Sequence, residues 1–209
     1  TEGMVVADRY RLDRRIGQGG MASVWVARHL ALHTDVALKF IATSHKDPGL
    51  VARFEREAKA AASIKSPHVV SILDHGLTDD GRPYIAMELL QGRDLGAHLD
   101  ALGGTMGVRD VAWILWQACK GLGKAHAAGV VHRDLKPENL FLCDDEDGFH
   151  VKLLDFGIAK ADSPVGQVGP HTDTGTLVGT PMYMSPEQAL GERGIDFRTD
   201  LYSLAVVVY

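Results

Sequence analysis

The apolar pattern of this 209-residue chain changes from strand-like to helix-like at Gln91–Gly92, and this change constrains the fold more than any other feature. Before it, short apolar runs are separated by glycine-containing or polar turns, which is typical of an antiparallel meander. One helical pattern interrupts them, beginning at Asp47–Pro48 and stopping at Ser66–Pro67. The pattern predicts an α+β unit over residues 1–90, with one long helix and a five-stranded antiparallel sheet. The predicted strands are 11–16, 23–28, 36–41, 69–73 and 84–89.

Residues 91–209 follow a mainly helical pattern. Helices are predicted over 94–102 and 108–129, and the second carries an apolar stripe at helical spacing. A hairpin of strands 140–143 and 149–154 follows. Its acidic turn lacks the alternating oxygen ligands and the terminal Glu of a calcium loop. The remaining predictions are a long loop over 161–182, of the kind that is functional or mobile, and an apolar helix from Asp200.

Composition and charge exclude several classes of function. The chain has 22 Lys and Arg against 27 Asp and Glu, a formal charge of −5, and no basic stripe, so no nucleic-acid partner is expected. No run reaches the roughly 18 apolar residues of a spanning helix, so no membrane contact is expected from this segment. Cys119 and Cys143 lack metal-ligand spacing and are interpreted as small buried thiols in a reducing compartment.

A glycine-rich segment lies between the first two predicted strands. A Rossmann turn or a Walker loop opens into a helix, whereas these glycines lead into a strand, as in a hairpin folded over a nucleotide. Gly17 and Gly19 would let backbone amides approach phosphate oxygens, and Val24 would cover the base. An ordinary hairpin bend remains the alternative for the segment alone, and a dinucleotide-dependent oxidoreductase is disfavoured by the strand. The segment reads Ile16-Gly17-Gln18-Gly19-Gly20-Met21-Ala22-Ser23-Val24.

Two opposite charges stand at apolar positions of neighbouring predicted elements. Lys39 lies in an apolar strand, and Glu57 lies on the apolar stripe of the long helix. Alone, Lys39 is compatible with an amine that reaches water, but a buried carboxylate is costly unless it is paired. A pair explains both charges, and the ammonium group would also contact phosphates.

Residues 132–139, His132-Arg133-Asp134-Leu135-Lys136-Pro137-Glu138-Asn139, place many polar side chains between two apolar runs. Asp134 can accept or orient a hydroxyl proton, and Lys136 can neutralise a phosphate in transfer. Asn139 offers a carbonyl oxygen to a hard divalent cation. Asp155 ends an apolar strand, where a lone carboxylate is costly. A metal pair of Asn139 and Asp155 is therefore favoured over a structural cap.

In this order and spacing, these motifs resemble the protein kinase superfamily, and most closely the eukaryotic-like serine/threonine kinases of bacteria. The resemblance covers essentially the whole chain and implies a bilobal fold, with residues 1–90 as the N-lobe and 91–209 as a partial C-lobe. It implies an ATP-dependent serine/threonine protein kinase. The alternative is a pseudokinase that serves as a scaffold or an ATP-binding regulatory module. The motifs that carry the resemblance are 17–24, 36–39, Glu57, 132–139, 155–157 and 185–187.

The resemblance also implies a role for each catalytic and metal-binding residue. Lys39 would hold the α- and β-phosphates and pair with Glu57, and Asp134 would position the substrate hydroxyl. Asn139 and Asp155 would hold Mg²⁺, with Mn²⁺ as the alternative cation. The implied catalytic residues are Asp134, Lys136, Lys39 and Glu57.

For the nucleotide, the resemblance implies that Met87 is the gatekeeper and that the backbones of Glu88 and Leu90 meet adenine. The implied ATP-binding residues are Ile16, Gly17, Gln18, Gly19, Gly20, Met21, Ala22, Ser23, Val24, Ala37, Lys39, Met87, Glu88, Leu90 and Phe141.

Regulation by phosphorylation is implied by Arg133 beside Asp134. Thr172 and Thr174 occupy the region where bacterial relatives autophosphorylate, although they also suit a flexible loop. The expected partners are protein substrates that carry Ser or Thr, and a second copy of the chain for autophosphorylation in trans. The domain is expected in the cytoplasm, with anchoring of the full-length protein through a further C-terminal segment as an alternative. Two departures from the family pattern are small: Ala22 in place of a third glycine, and Ser185 in place of alanine before Pro-Glu.

Overall fold

The computed structural model describes residues 1–19, 22–41, 48–145, 148–156, 181–192 and 194–209. The chain divides into two compact units. Among the described residues, unit 1 contains 1–65 and 70–91, and unit 2 contains 66–69 and the residues from 92 onward.

Unit 1 is an antiparallel sheet with one helix. In the described residues the sheet has six strands in the order β1-β2-β3-β4-β6-β5, which confirms the predicted α+β class. The short strand β1 adds to the five that the pattern predicts. The elements of unit 1 are β1 (Val5–Val6), β2 (Tyr10–Gln18), β3 (Ala22–His29), β4 (Thr34–Ile41), α1 (Pro48–Ala62), β5 (Ile72–Leu77) and β6 (Pro83–Glu88).

The predicted strand 69–73 lies further along the chain, at β5, Ile72–Leu77. Val69 and Val70 are buried, as their apolar character suggests, but they lie before the strand. Val69 instead forms an isolated parallel bridge with Leu153 in unit 2. An apolar run indicates that its residues are buried, but residues 69 and 70 are buried outside a sheet strand.

A polar contact joins two strands of unit 1 that are not neighbours in the sheet. Tyr10 on β2 is buried, and its hydroxyl donates to the carboxylate of Asp74 on β5 at 3.1 Å. Burial and the Asp74 carboxylate raise the pKa of Tyr10 to about 12. Arg9 also pairs with Asp74. Because β3, β4 and β6 separate β2 from β5 in the strand order, this contact requires a curled sheet. The core residues are Val6, Tyr10, Leu12, Ala27, Val36, Leu38, Phe40, Tyr84 and Ala86.

Unit 2 combines helices with a small sheet. In its described residues, the sheet is three-stranded and antiparallel, in the order β7-β8-β9. Single 3-10 turns cover Pro137–Asn139 and Pro181–Tyr183. The other elements are β7 (Gly92–Asp94), α2 (Leu95–Ala101), α3 (Val108–Ala127), β8 (Leu140–Asp145), β9 (Gly148–Leu153), α4 (Pro186–Ala189) and α5 (Arg198–Val208).

Helix α3 follows its predicted pattern closely. Its apolar stripe buries Ile114, Ala118, Leu122 and Ala125, one helical turn after another. The helix ends at Ala127, and Gly129 beyond it adopts φ 74°, a left-handed conformation that glycine takes without steric cost.

Strand β7 is absent from the sequence prediction because three residues give no alternation to detect. Gly92 pairs with Cys143 at φ 133°, and a Cβ built on it would lie 2.0 Å from the carbonyl oxygen of Leu142. Only glycine fits at this position.

The interpretation of both cysteines as buried thiols is wrong for Cys119. Neither of these cysteines forms a disulfide within the described residues, and Cys119 is exposed whereas Cys143 is half-buried. Cys119 follows the buried Ala118 on α3, and a one-residue step turns its side chain away from the stripe. The predicted loop 161–182 lies outside the described residues except at 181–182. Of the helices in the part of the chain that the structure describes, none has the length and apolar character needed to cross a bilayer.

Candidate active site

The described residues of the glycine-rich segment end β2 and begin β3, and the two strands pair with each other there. Gly17 pairs with Val24, Gln18 pairs with Ser23, and the Gly19 N–H donates to the Ala22 carbonyl at 2.9 Å. The glycines therefore lead into a strand, as the sequence predicts, and a helix-opening phosphate loop is excluded here. Gly20 and Met21, which complete the predicted nucleotide set in this turn, lie outside the described residues.

Lys39 is a buried cation in the middle of the sheet. It stands on β4 between Val24 of β3 and Ile85 of β6, and only 7% of it is exposed. Glu57 lies half-buried on the face of α1 that also carries Phe54 and Ala61. The structure thus confirms the apolar surroundings that the sequence predicts for both charges, and both side chains belong to unit 1.

The residues predicted to meet the adenine base lie on β4 and at the end of β6. Ala37 pairs with Met87, and Glu88 pairs with Val36. Glu88 is held at its backbone and its side chain: its N–H donates to the Ser71 carbonyl at 3.1 Å, and its carboxylate accepts from the Ser71 N–H at 2.7 Å. Ile16 and Leu90 also belong to unit 1, whereas Phe141 lies on β8 of unit 2.

In unit 2, a carboxylate clamps the loop that contains Asp134. Asp200, at the start of α5, is fully buried and accepts from the backbone N–H groups of His132 and Arg133, each at 2.8 Å. Nε2 of His126 on α3 lies 2.8 Å from the same carboxylate. Arg133 has φ 63°, a costly conformation for a side chain with a Cβ. The buried carboxylate fixes that conformation immediately before Asp134.

His132 ties this loop to the residues before Asp155. Its Nε2 lies 2.7 Å from the Leu154 carbonyl and must donate, because a carbonyl only accepts. Its Nδ1 accepts from the Asp134 N–H at 3.3 Å. The ring packs against Phe156, with 4.7 Å between the ring centroids. The imidazole is fully buried, and this burial lowers the pKa of His132.

Asn139 forms hydrogen bonds with Asp134 and with Leu154, the residue before Asp155. Its side-chain Nδ2 donates to the backbone carbonyl of Asp134 at 2.7 Å. The backbone carbonyl of Asn139 accepts from the Leu154 N–H at 2.9 Å. Because the Asp134 carbonyl can only accept, the amide nitrogen of Asn139 must face it, and Oδ1 is directed away from that bond. Asp155 follows at φ 56°, a second strained position. The structure therefore joins the segments of Asp134, Asn139 and Asp155 within unit 2.

The donor set of Asn139 and Asp155 suits a hard cation. One amide oxygen and one carboxylate are ligands that Mg²⁺ accepts. Within the described ranges, no group of three or more His, Cys, Asp or Glu side chains is placed to hold a metal ion. A two-ligand set fits Mg²⁺, which keeps waters and takes further oxygens from phosphates. Lys136 lies half-buried in the same loop.

The sequence interpretation gave no role to Asp200 and did not consider Gln188. Gln188 donates from Nε2 to the Arg133 carbonyl at 2.9 Å. The only signal for Asp200 was a carboxylate at the start of an apolar helix, and Gln188 lies in a polar segment. Thr172 and Thr174 lie outside the described residues, as does Gly157.

Comparison with known proteins agrees with this arrangement. The protein kinase domain family matches residues 10–209. The chain is 44% identical over 210 residues to the serine/threonine-protein kinase pkn3 of Myxococcus xanthus, covering 99% of this chain and 38% of that protein. It is 40% identical over 211 residues to PknB of Mycolicibacterium smegmatis, covering 98% of this chain and 32% of that protein. The chain therefore spans about a third of the length of these curated relatives.

The solved kinase domain of Mycobacterium tuberculosis PknI is similar in fold. It superposes with a TM-score of 0.78 at 29% identity, over the whole of this chain and 75% of that chain. A family match over nearly the entire length, relatives at 40% identity or more, and this shared fold agree: the chain belongs to the protein kinase domain family, as a catalytic domain of the eukaryotic-like serine/threonine type found in bacteria.

Proposed function

We propose that the whole protein transfers the γ-phosphate of ATP to Ser and Thr hydroxyls of protein substrates, with Mg²⁺ as the working cation. The observation that carries this proposal is the arrangement around Asp134. A buried carboxylate holds the backbone before it, and the Asn139 amide holds the carbonyl of Asp134 itself. Phosphoryl transfer depends mostly on positioning and charge stabilisation, so a rigid loop of this kind suits it.

In unit 2, Asp134 orients the substrate hydroxyl and accepts its proton, and Lys136 neutralises charge on the transferred group. Asn139 and Asp155 hold Mg²⁺. The cation supplies neutralisation of the phosphate oxygens when it is bound. The bond from Asn139 Nδ2 to the Asp134 carbonyl supports this assignment, because it leaves Oδ1 as the atom of the amide that would bind the cation.

In unit 1, the glycine-rich turn covers the triphosphate with backbone N–H groups, and Lys39 contacts the α- and β-phosphates. Glu57 supplies the counter-charge for Lys39. The burial of Lys39 supports this role, since a buried ammonium group is costly without anionic partners. Met87, Glu88 and Leu90 line the adenine site together with the apolar residues predicted around it.

The proposal extends to regulation. Autophosphorylation at Thr172 or Thr174, in trans between two copies, would add a charge that pairs with the exposed Arg133 side chain. The domain would act in the cytoplasm.

The test is Asp134→Asn in the full-length protein. We expect wild type to transfer radiolabelled γ-phosphate to itself or to a protein substrate, and Asp134→Asn to lose at least about 100-fold in rate. Nucleotide affinity, measured with a fluorescent ATP analogue, should change little because Asp134 acts on the hydroxyl.

Asp100→Asn is the matched control, because it removes an exposed carboxylate on α2 and should leave the rate unchanged. Absence of transfer by wild type, with nucleotide still bound, would contradict the proposal and favour a pseudokinase.

A further inference from the structure

The side chain of Gln188 on α4 lies between the catalytic loop and α5, and both the nitrogen and the oxygen of its amide form hydrogen bonds. Nε2 donates to the Arg133 carbonyl at 2.9 Å. Oε1 accepts from the Thr199 hydroxyl at 2.6 Å and from the Ser185 N–H at 3.1 Å. One side chain thus bonds to residues that lie 3, 11 and 55 positions away in the sequence.

The direction of each bond is fixed by its partners. A carbonyl can only accept and a backbone N–H can only donate, so the nitrogen of the amide faces Arg133 and its oxygen faces Ser185. The Thr199 hydroxyl gives its proton to Gln188 and therefore accepts from the Ser185 hydroxyl, which lies 2.6 Å away in a buried position. The network needs a donor and an acceptor on the same side chain, which an amide has and a carboxylate lacks.

The bond to Arg133 complements the clamp made by Asp200. Arg133 is held at φ 63°, with Asp200 accepting from its N–H. That bond fixes the peptide before Arg133, whereas the peptide after it is held at its N–H by His132 Nδ1, 3.3 Å away. This second peptide consists of the Arg133 carbonyl, to which Gln188 donates, and the Asp134 N–H.

We propose that Gln188 is a positioning residue for Asp134: together with His132, it fixes the peptide plane between Arg133 and Asp134, and with it the direction of the Asp134 side chain. The inference rests on the proposed kinase function. It goes beyond that function by assigning a catalytic effect to a side chain outside the metal, nucleotide and hydroxyl-binding sets.

The test compares Gln188→Glu and Gln188→Met with wild type in the full-length protein. At pH 8, a carboxylate at position 188 still accepts from Ser185 and Thr199, but it repels the Arg133 carbonyl. We expect kcat to fall about 10- to 100-fold, because a misplacement of about 1 Å costs a comparable factor. KM for ATP should change less than about twofold, since no phosphate or adenine contact is altered.

The pH dependence distinguishes positioning from a general loss of structure. A protonated Glu has an O–H that donates to the Arg133 carbonyl, so acid restores the missing bond. Because a glutamate carboxyl ordinarily has a pKa of about 4.3, we expect the ratio of wild-type to Gln188→Glu kcat to be constant from pH 8.5 to about pH 6 and to fall from there to about pH 5. Met has no donor at any pH, so the corresponding ratio for Gln188→Met should stay constant over that range. If Gln188→Glu fails to fold, the kcat and KM values of Gln188→Met carry the test.

Gln117→Glu is the matched control. Gln117 is buried on α3, its Oε1 accepts from the Val151 N–H at 3.0 Å, and its Nε2 has no hydrogen-bond partner within the described ranges. The change buries a carboxylate at position 117 but removes no hydrogen bond, because Nε2 donates none. Well below the melting temperature, kcat and its pH profile should therefore match those of wild type.

Two results would overturn the inference while wild type remains active: a kcat for Gln188→Glu within twofold of wild type at pH 8, or a ratio of wild-type to Gln188→Glu kcat that does not fall between about pH 6 and pH 5. An inactive wild type would instead refute the proposed function, which keeps the two failures distinguishable.

Discussion

His132 shows how one buried side chain can be fully satisfied in a single protonation state. The neutral tautomer with its proton on Nε2 serves both the Leu154 carbonyl and the Asp134 N–H. A second proton on Nδ1 would place that N–H against the Asp134 N–H, and the hydrogen bond between them would be lost. Burial also lowers the pKa of His68, whose Nδ1 lies 3.2 Å from the Val151 carbonyl.

These two imidazoles predict how stability changes with pH. Both titrate near 6.5 when unfolded and below that value when folded, so the unfolded state takes up protons first as the pH falls. Their contribution is complete above pH 6.5 and is lost progressively below it. Urea unfolding between pH 7.5 and pH 5 should show a decreasing free energy of unfolding.

His33→Asn removes an exposed imidazole at a left-handed position that Asn tolerates, and it should keep the same pH dependence. NMR of the His132 ring gives the direct measurement, and a midpoint at or above 6.5 would contradict the prediction.

At this scale, sequence reasoning finds residues whose chemistry is unusual for their position. A lysine in an apolar strand and an aspartate at the end of one attract attention because their burial is costly. The burial of Lys39 is confirmed, whereas Asp155 is half-buried and lies two residues after the end of β9. The roles assigned to Lys39, Asp134, Asn139 and Asp155 stay predictions. Gln188 and Asp200 act through backbone groups 55 to 68 residues away, and such partners leave no pattern in the sequence.

Among the elements, helix α3 depends on close contact at Gly121. A Cβ built there would lie 2.7 Å from the His68 carbonyl oxygen and 2.8 Å from Leu153 Cδ1. The missing side chain lets the helix approach residues 66–69 and β9 more closely than alanine would allow.

We expect Gly121→Ala to lower the free energy of unfolding by about 1–3 kcal/mol, because the overlap outweighs the better helix propensity of alanine. Gly123→Ala, two residues later on the same helix, meets no atom within 4 Å and is exposed. It should raise stability by about 0.5–1 kcal/mol. Urea unfolding of the two variants checks the contrast, and similar effects of both would contradict the close approach.

Elements with a long, regular pattern could be predicted, and those defined by pairing could not. The stripe of α3 spans many turns and repeats at helical spacing, so its existence and face follow from the sequence. Strand β7 exists because it pairs with β8, which lies about 50 residues further along the chain. The strand predicted at 69–73 was displaced because Val69 is buried against Leu153 instead.

For the whole molecule, the division into two units depends on contacts that are distant in sequence. Residues 66–69 belong to unit 2, although 70–91 after them belong to unit 1. The bonds from the His68 ring to Val151 and from the Leu153 N–H to the His68 carbonyl account for this membership. No local pattern of residues 66–69 indicates these partners.

Nucleotide binding should stabilise the whole molecule. A ligand at 100 times its Kd adds about 2.7 kcal/mol, which corresponds to a rise in Tm of about 5–10 °C for a domain of this size. We expect MgATP to give this rise in the wild type and ATP with a chelator to give less. Asp155→Asn should lose the increment due to Mg²⁺ and keep the response to ATP alone. Differential scanning fluorimetry makes the measurement.

Asp100→Asn serves again as the control and should respond like wild type. An undiminished Mg²⁺ increment in Asp155→Asn would contradict the assignment of Asp155 as a metal ligand.

The brevity of β1 has a consequence for how the sheet of unit 1 meets other chains. One border of this sheet ends in a strand of only two residues, Val5–Val6. Open strand borders are templates on which a second polypeptide adds by main-chain pairing, and short outermost strands limit such addition. This border therefore offers only a two-residue strand to a growing aggregate, even though β2 behind it is nine residues long.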